Sequence, residues 1–120
     1  MEKQLKAFVS TTKPDVAKQF YQDVLELKLL SEDDFGLEFD ANGTHLRISI
    51  VQQLTPQPFT VLGWEVRDIS AAITSLNAKG ILFERYAFLQ QDPLGLWTSP
   101  KGRKVAWFKD PDGNILSYSE

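Results

Sequence analysis

The stretch "VAWFKDPDGNILSYSE", residues 105–120, decides the fold. Two short runs rich in β-branched, aromatic and aliphatic residues flank the tight-turn sequence Asp110-Pro111-Asp112-Gly113. Proline suits the second position of a type I turn, and glycine suits a left-handed residue after it. Because strands joined by such a turn form an antiparallel hairpin, the sequence predicts a β-sheet at this end of the chain.

The same turn predicts the register of the hairpin. A type I turn followed by a left-handed glycine usually carries a one-residue bulge, which would pair Asp110 with Asn114 and place Trp107 opposite Ser117. Without the bulge, Ala106 would lie opposite Ser117. We favour the bulged register because it is the one that requires a glycine after the turn.

The two halves of the chain share one layout, in which a strand and a helix are followed by further strands. Apolar residues at helical spacing, with Pro14 and Asp68 near the helix starts, predict the two helices. The first half is interpreted as strand 5–10, helix 12–26 and strands 27–33, 35–40 and 44–52. The second half is interpreted as strand 60–67, helix 69–80 and strands around 81–86, 94–100, 104–110 and 114–119.

The stretch "QQLTPQPFT", residues 52–60, is the best internal break, because prolines and polar residues separate two periodic regions. We predict a single domain over residues 1–120, with pseudo-repeats at 1–52 and 60–120 and a linker at 53–59. A chain of this length buries enough surface to fold without disulfides or a structural metal.

The composition narrows the class of protein. The chain has 42% hydrophobic residues, a formal net charge of −3 and no cysteine. These values fit a soluble globular protein and exclude disulfides, thiolate catalysis and zinc–cysteine sites. Lysine and arginine are scattered, which argues against a nucleic-acid partner, and neither a secretory signal nor a membrane span is evident. We predict a cytoplasmic protein with no membrane partner.

Alternation with period two sorts the strand residues into an apolar face, covered by the helices, and a mixed face on the concave side. Trp64 lies in an apolar row and is assigned to the core. The mixed-face residues with useful chemistry are His45, Arg47, Ser49, Glu65, Trp107, Lys109 and Ser117.

Three stretches resemble the vicinal-oxygen-chelate superfamily, which contains glyoxalase I, bleomycin-resistance proteins, fosfomycin-resistance enzymes, extradiol dioxygenases and methylmalonyl-CoA epimerase. They are "QFYQDVLEL" (19–27), "WEVRDISAAITSLNAKGI" (64–81) and "FKDPDGNILSYSE" (108–120). The resemblance covers essentially the whole chain. It implies an α+β fold of two tandem βαβββ modules that form an incomplete curved barrel.

The resemblance also implies four positions for metal ligands, and this chain departs from the family at all of them. The final glutamate position is occupied by Ser117, and the middle histidine or glutamine position by Val61. The first-strand position is Lys6, or Ala7 or Phe8 in a shifted alignment, and the remaining glutamate position is Arg47 or Ser49. Valine cannot coordinate a metal and arginine repels one, so we predict no metal and no cofactor.

The leading hypothesis is a metal-free module that binds a small molecule, similar to the bleomycin-resistance branch. Trp107 offers a stacking surface, and Trp97 would add a second wall or a lid. Arg47, Glu65, Ser49, Ser117 and Lys109 complete the predicted ligand-binding set. For both tryptophans the alternative is a core or dimer contact.

Two other hypotheses remain open at this point. The first is a lyase, isomerase or dioxygenase-type enzyme of the same superfamily that uses no metal or an atypical one, in which Glu65 is a general base and Arg47 a fixed positive charge, with His45 as a further candidate. Alternatively, Arg47 and Glu65 pair with each other as two buried charges. The second is a structural or regulatory protein with a vestigial pocket. Because sheets with open edges usually close by pairing, we also predict a homodimer.

Overall fold

The computed structural model describes residues 2–120, which form two compact units. The first unit ends at Pro56, and the second is Gln57–Glu120. Each unit contains one four-stranded mixed sheet and one α-helix, and neither sheet closes into a barrel within the described residues. The predicted α+β fold of two similar modules is confirmed. Residues 2–120 include no helix that is both long and apolar enough to cross a membrane.

The first unit follows the predicted order of strand, helix and three strands. Its elements are β1 (Lys6–Thr11), α1 (Pro14–Gln19), a π-helical turn (Phe20–Val24), β2 (Lys28–Asp33), β3 (Gly36–Ala41) and β4 (Thr44–Ile50). The strand order in the sheet is β1-β4-β3-β2, and β1 runs parallel to β4. The helix predicted over 12–26 is therefore α-helical only to Gln19, and the chain continues as the π-helical turn.

The apolar face of this sheet packs against the helical segment. Leu46 and Ile48 on β4 and Phe39 on β3 have no accessible surface. Phe20 and Tyr21 are buried and meet edge to face, with ring centroids 5.1 Å apart. This aromatic pair therefore belongs to the packed face of the helical segment.

The second unit repeats the layout with a shortened third strand. Its elements are β5 (Thr60–Glu65), α2 (Ile69–Ala78), β6 (Trp97–Thr98), β7 (Lys104–Lys109) and β8 (Ile115–Ser119). The order in the sheet is β5-β8-β7-β6, and β5 runs parallel to β8. As predicted, Asp68 caps α2, where its side chain accepts a hydrogen bond from the Ala71 backbone N–H at 3.1 Å.

The strand predicted around 81–86 is wrong, because this segment has no regular structure. Its backbone groups bond instead to the side-chain amide of Gln91. The Gln91 Nε2 donates to the Glu84 carbonyl at 2.9 Å, and its Oε1 accepts from the Tyr86 N–H at 2.8 Å. The Glu84 N–H donates to the Trp107 carbonyl on β7 at 2.7 Å, so the segment bonds to the sheet at this point, while the Gln91 side chain satisfies groups that a ladder would otherwise pair. The strand predicted over 94–100 shrinks to the two residues of β6.

The C-terminal hairpin has the bulged register. Trp107 lies opposite Ser117, and Lys109 lies opposite Ile115. The Asp110 N–H donates to the Asn114 carbonyl at 3.0 Å. The prediction made from the turn is therefore confirmed.

Trp64 lies on the predicted face of β5 but is only half-buried. It pairs with Tyr118 in the β5–β8 ladder, and the two rings meet edge to face with centroids 6.3 Å apart. The core below α2 is built instead around Ile69, Ile73 and Ala106, none of which has accessible surface.

Candidate functional site

The mixed face of the first unit carries a cluster of four charged side chains. The Lys6 Nζ donates to Glu38 Oε1 at 2.7 Å, and the Arg47 Nη1 approaches the same oxygen at 3.4 Å. The Arg47 Nη2 lies 3.8 Å from Asp33 Oδ1. Two cations thus oppose two carboxylates, so the cluster is electrically balanced.

Glu38 lies at the centre of this charged cluster. Its hydrogen bond from Lys6, aided by the charges of Lys6 and Arg47, holds the pKa of the carboxyl below its ordinary value despite partial burial. Its second oxygen, Oε2, is buried and makes no hydrogen bond among the described residues. Gly36 leaves room for the arginine, because a Cβ there would lie 2.9 Å from the Arg47 Cζ.

The other candidates of the first unit lie on the same strand as Arg47. His45 is exposed and pairs in register with Lys6 and Asp40. Ser49 is half-buried and lies opposite Gly36. Their face is the one that the alternation predicts.

The mixed face of the second unit holds Gly63, Ser117 and Trp107 in one row. Ser117 is buried. Glu65 has a side chain that is 73% exposed, and its Oε1 lies 3.7 Å from Arg103 Nη2. Glu65 is therefore a solvated residue whose ion-pair partner, Arg103, lies in its own unit. This finding corrects the alternative in which Glu65 and Arg47 are two buried charges.

An aromatic pocket of about 470 Å³ opens on the second unit. Five aromatic rings line it, those of Phe59, Tyr86, Phe88, Trp97 and Trp107. The remaining lining comes from Pro58, Thr60, Leu89 and Ile115. None of these described lining residues carries a charge.

Trp107 lies at the centre of the ring arrangement. Its ring centroid is 6.1 Å from that of Trp97, with 38° between the planes. The Tyr86 ring meets the Trp107 ring edge to face, with centroids 5.6 Å apart, and its centroid lies 5.7 Å from that of Phe88. Such contacts hold aromatic rings in defined orientations, so the pocket presents a wall of aromatic surface.

Tyr86 brings a polar group to this aromatic wall. Burial, aided by the nearby Glu84 carboxylate and opposed by Lys109, raises the pKa of the Tyr86 phenol above its ordinary value. The phenol is therefore neutral at physiological pH and is able to donate or accept a hydrogen bond. Glu84 and Lys109 form an ion pair of 3.4 Å.

The structure brings together two of the sequence-predicted residues, Trp97 and Trp107, in the aromatic pocket. Ser117, Lys109 and Glu65 share the second unit but do not line this pocket. Tyr86, Phe88 and Phe59 also line the pocket but are not among the residues predicted from the sequence. A strand prediction covered Tyr86, and no periodic pattern marks Phe59 or Phe88.

The four positions implied for metal ligands do not form a metal site. Lys6 and Arg47 are cations engaged with Glu38, and Val61 has no donor atom. Ser117 supplies one hydroxyl. Across residues 2–120, no group of three or more histidine, aspartate and glutamate side chains is arranged to hold a metal ion. The residues present do not fit the metal of the vicinal-oxygen-chelate enzymes.

Comparison with known proteins agrees with the resemblance seen in the sequence. The family model described as "Glyoxalase/Bleomycin resistance protein/Dioxygenase superfamily" matches residues 5–118. The chain belongs to this superfamily. A search of the curated proteins found no match.

Solved structures of the superfamily share the fold over nearly their full length. A member from Sphaerobacter thermophilus is 20% identical, with a TM-score of 0.77 over 100% of this chain and 98% of that chain. A glyoxalase family protein from Enterococcus faecalis is 25% identical, with a TM-score of 0.70 over 98% and 94% of the two chains. A lactoylglutathione lyase from Agrobacterium tumefaciens is 16% identical, with a TM-score of 0.76 over 100% and 94%.

Proposed function

We propose that this superfamily member binds a small molecule without a metal ion, and that the ligand occupies the aromatic pocket of the second unit. The observation that carries the proposal is the aromatic lining, with Trp107 at its centre. Small-molecule sites are typically concave, mostly apolar and about 300–1,000 Å³ in volume, and the cavity of about 470 Å³ lies in this range.

The lining favours a flat, uncharged ring system. A ring that stacks on tryptophan gains roughly 0.5–1.5 kcal/mol beyond its buried area. An anionic ring would lose its hydration without finding a charged partner in the lining, which is unfavourable. Tyr86 also lines the pocket, and its neutral phenol is able to donate a hydrogen bond to, or accept one from, a ligand that reaches it.

The alternative of a metal-independent lyase or isomerase has weaker support. Of its candidate residues, Glu65 and His45 are exposed, and Arg47 bonds to Glu38. A general base must reach a substrate proton, which is best achieved from inside a pocket. The residues of the aromatic pocket do not include these three.

Isothermal titration with flat, neutral bicyclic compounds (2-naphthamide, quinoline and coumarin) tests the proposal. We expect at least one to bind, and we expect Trp107→Ala to weaken its binding by about tenfold or more, since one stacking contact is lost. The matched control is Trp64→Phe, which changes a tryptophan on the opposite face of the sheet. Circular dichroism reports whether each variant is folded.

Two results would contradict the proposal. The first is that none of the three compounds binds at millimolar concentration. The second is that a folded Trp107→Ala variant binds as tightly as the wild type.

The homodimer and the cytoplasmic location are further proposals that rest on the sequence analysis. Size-exclusion chromatography at micromolar concentration tests the first. Elution as a monomer of 13.6 kDa would contradict it.

A further inference from the structure

A second cavity of about 550 Å³ adjoins the aromatic pocket in the second unit. Phe88, Leu89 and Trp97 line both cavities. These three residues are therefore a shared wall, with the aromatic pocket on one side and the second cavity on the other. The two cavities are therefore neighbours along this wall.

The second cavity differs from the aromatic pocket in its chemistry. Besides the shared wall, it is lined by the polar side chains of Gln90, Asp92 and Thr98 and by the apolar Leu96 and Pro100. Asp92 gives this cavity a negative charge, whereas the aromatic pocket has no charged lining residue among those described. A molecule that spans both must therefore combine an apolar ring with a polar substituent.

The Asp92 carboxylate is held in a fixed orientation. Its Oδ1 accepts hydrogen bonds from the backbone N–H groups of Leu94 and Leu96, both at 2.9 Å. The Arg85 guanidinium donates to the backbone carbonyl of Asp92 at 2.6 Å. Since a carboxylate offers about four acceptor positions, two bonds at Oδ1 leave capacity for a ligand donor.

The base of the shared wall is also fixed. The Leu89 N–H donates to the Tyr86 carbonyl at 3.0 Å, which closes a tight turn, and the Gln91 amide bonds to both Glu84 and Tyr86. Phe88 at the tip is nevertheless 83% exposed. A substituent that crosses the shared wall would therefore pass over the exposed ring of Phe88.

We propose that the ligand spans both cavities, with a flat ring in the aromatic pocket and an amine-bearing arm that donates a hydrogen bond to Asp92 in the second cavity. This inference rests on the proposed function, because it places the ring in the same pocket. An ammonium group makes a charge-assisted hydrogen bond with the carboxylate. A carboxylate arm would be repelled by Asp92.

A series of probes with one ring and different arms tests the inference by isothermal titration. The probes are 2-naphthamide, its N-(ω-aminoalkyl) derivatives with two to six carbons, and the matching N-(ω-carboxyalkyl) derivatives. We expect the affinity of the amine series to pass through a maximum at one chain length. At that length the amine should bind roughly tenfold more tightly than 2-naphthamide, the gain of one charge-assisted hydrogen bond, and the carboxylate should gain nothing.

Asp92→Asn removes the charge while its amide oxygen still accepts the Leu94 and Leu96 hydrogen bonds. We expect this variant to lose the gain of the amine arm and to bind 2-naphthamide as the wild type does. Asp68→Asn is the matched control, since it removes the same charge from a backbone-capping aspartate at α2 and should keep the gain.

The possible outcomes separate the two proposals. If 2-naphthamide binds but no amine arm improves its affinity, or if amine and carboxylate arms act alike in the wild type, the second subsite is wrong and the aromatic pocket stands. If the gain persists in a folded Asp92→Asn variant, the role of Asp92 is wrong. If neither 2-naphthamide nor any derivative binds, the spanning ligand is wrong, and the aromatic pocket fails with it only if quinoline and coumarin do not bind either.

Discussion

The two units build the same strand arrangement and place different chemistry on it. In each, a parallel strand pair and an antiparallel neighbour align one residue from each of three strands on the mixed face. The two aligned rows are Phe8–Arg47–Glu38 and Gly63–Ser117–Trp107. The first row belongs to a charged cluster, and the second has an aromatic ring at the edge of a pocket.

This difference shows how side chains alone change what a sheet offers a ligand. In the first unit, Arg47 and Lys6 are satisfied by Glu38 within the same face, so the positive charges are already paired. In the second unit, Trp107 packs against Tyr86 and Trp97 and leaves a cavity beside them. The scaffold is common to both, and the candidate function depends on the residues placed on it.

The β3–β4 hairpin of the first unit and the β7–β8 hairpin of the second also differ in the polar contacts of their turns. In the first unit, Asn42 and Gly43 form a two-residue turn with φ values of 58° and 100°, and Asp40 Oδ1 accepts one bond from the Gly43 N–H. In the second unit, Asp110 Oδ1 accepts from the backbone N–H groups of Asp112 and Asn114. The two turns share a position in the sequence pattern but not the burial of their aspartates.

The largest effect on stability is expected for Asp110→Ala. Asp110 is buried, and besides its two backbone bonds its Oδ2 accepts from Asn114 Nδ2 at 2.8 Å. The substitution removes three hydrogen bonds at a buried or partly buried turn, so we expect the free energy of unfolding to fall by about 3 kcal/mol. Urea denaturation followed by circular dichroism measures the change.

Asp40→Ala is the matched control, because it removes one hydrogen bond at an exposed turn. We expect it to cost less than about 1 kcal/mol. Equal losses in the two variants would show that burial does not distinguish the two hairpins.

Some of these features could be predicted from the sequence, and others could not. The register of the C-terminal hairpin was predictable because turn chemistry within five residues determines it. The ion-pair partner of Arg47 was not predictable, since Glu38 becomes its neighbour only through the pairing of β3 with β4. The pocket wall at Tyr86 was missed for another reason, because the Gln91 side-chain amide holds the backbone of Glu84 and Tyr86 in an irregular segment, and such side-chain bonds leave no periodic pattern in the sequence.

A smaller effect is expected for Gly36→Ala in the first unit. A Cβ at this position would lie 2.8 Å from the Ile48 carbonyl oxygen and 2.9 Å from the Arg47 guanidinium carbon. The backbone oxygen cannot move aside, so we expect a loss of about 1–3 kcal/mol in the free energy of unfolding. Urea denaturation again provides the measurement.

Gly63→Ala is the corresponding change in the second unit. Its Cβ would meet the Ser117 hydroxyl oxygen at 3.0 Å, and a hydroxyl is able to rotate away. We expect a loss below about 1 kcal/mol. A greater loss for Gly63→Ala than for Gly36→Ala would mean that the aromatic face, and not the charged one, is the more tightly packed.

The smallest effect concerns the pH dependence that the charged cluster gives to the first unit. The folded-state pKa of Glu38 lies below its ordinary value of 4.5, chiefly because Lys6 donates to it. A lowered carboxyl pKa stabilises the fold above the ordinary value, and that contribution is lost as the pH falls through the folded-state pKa. We therefore expect Glu38→Gln to lose less stability than the wild type between about pH 5 and pH 3, by up to about 1 kcal/mol for a partly exposed ion pair.

Urea denaturation across this pH range measures the effect, and Lys6→Met tests its cause from the other side. If the lysine holds the pKa down, Lys6→Met should flatten the same part of the pH profile as Glu38→Gln does, and 1 M salt should reduce the difference from the wild type because it screens exposed charges. A wild-type profile in both variants would mean that the Lys6–Glu38 pair does not stabilise the sheet in solution.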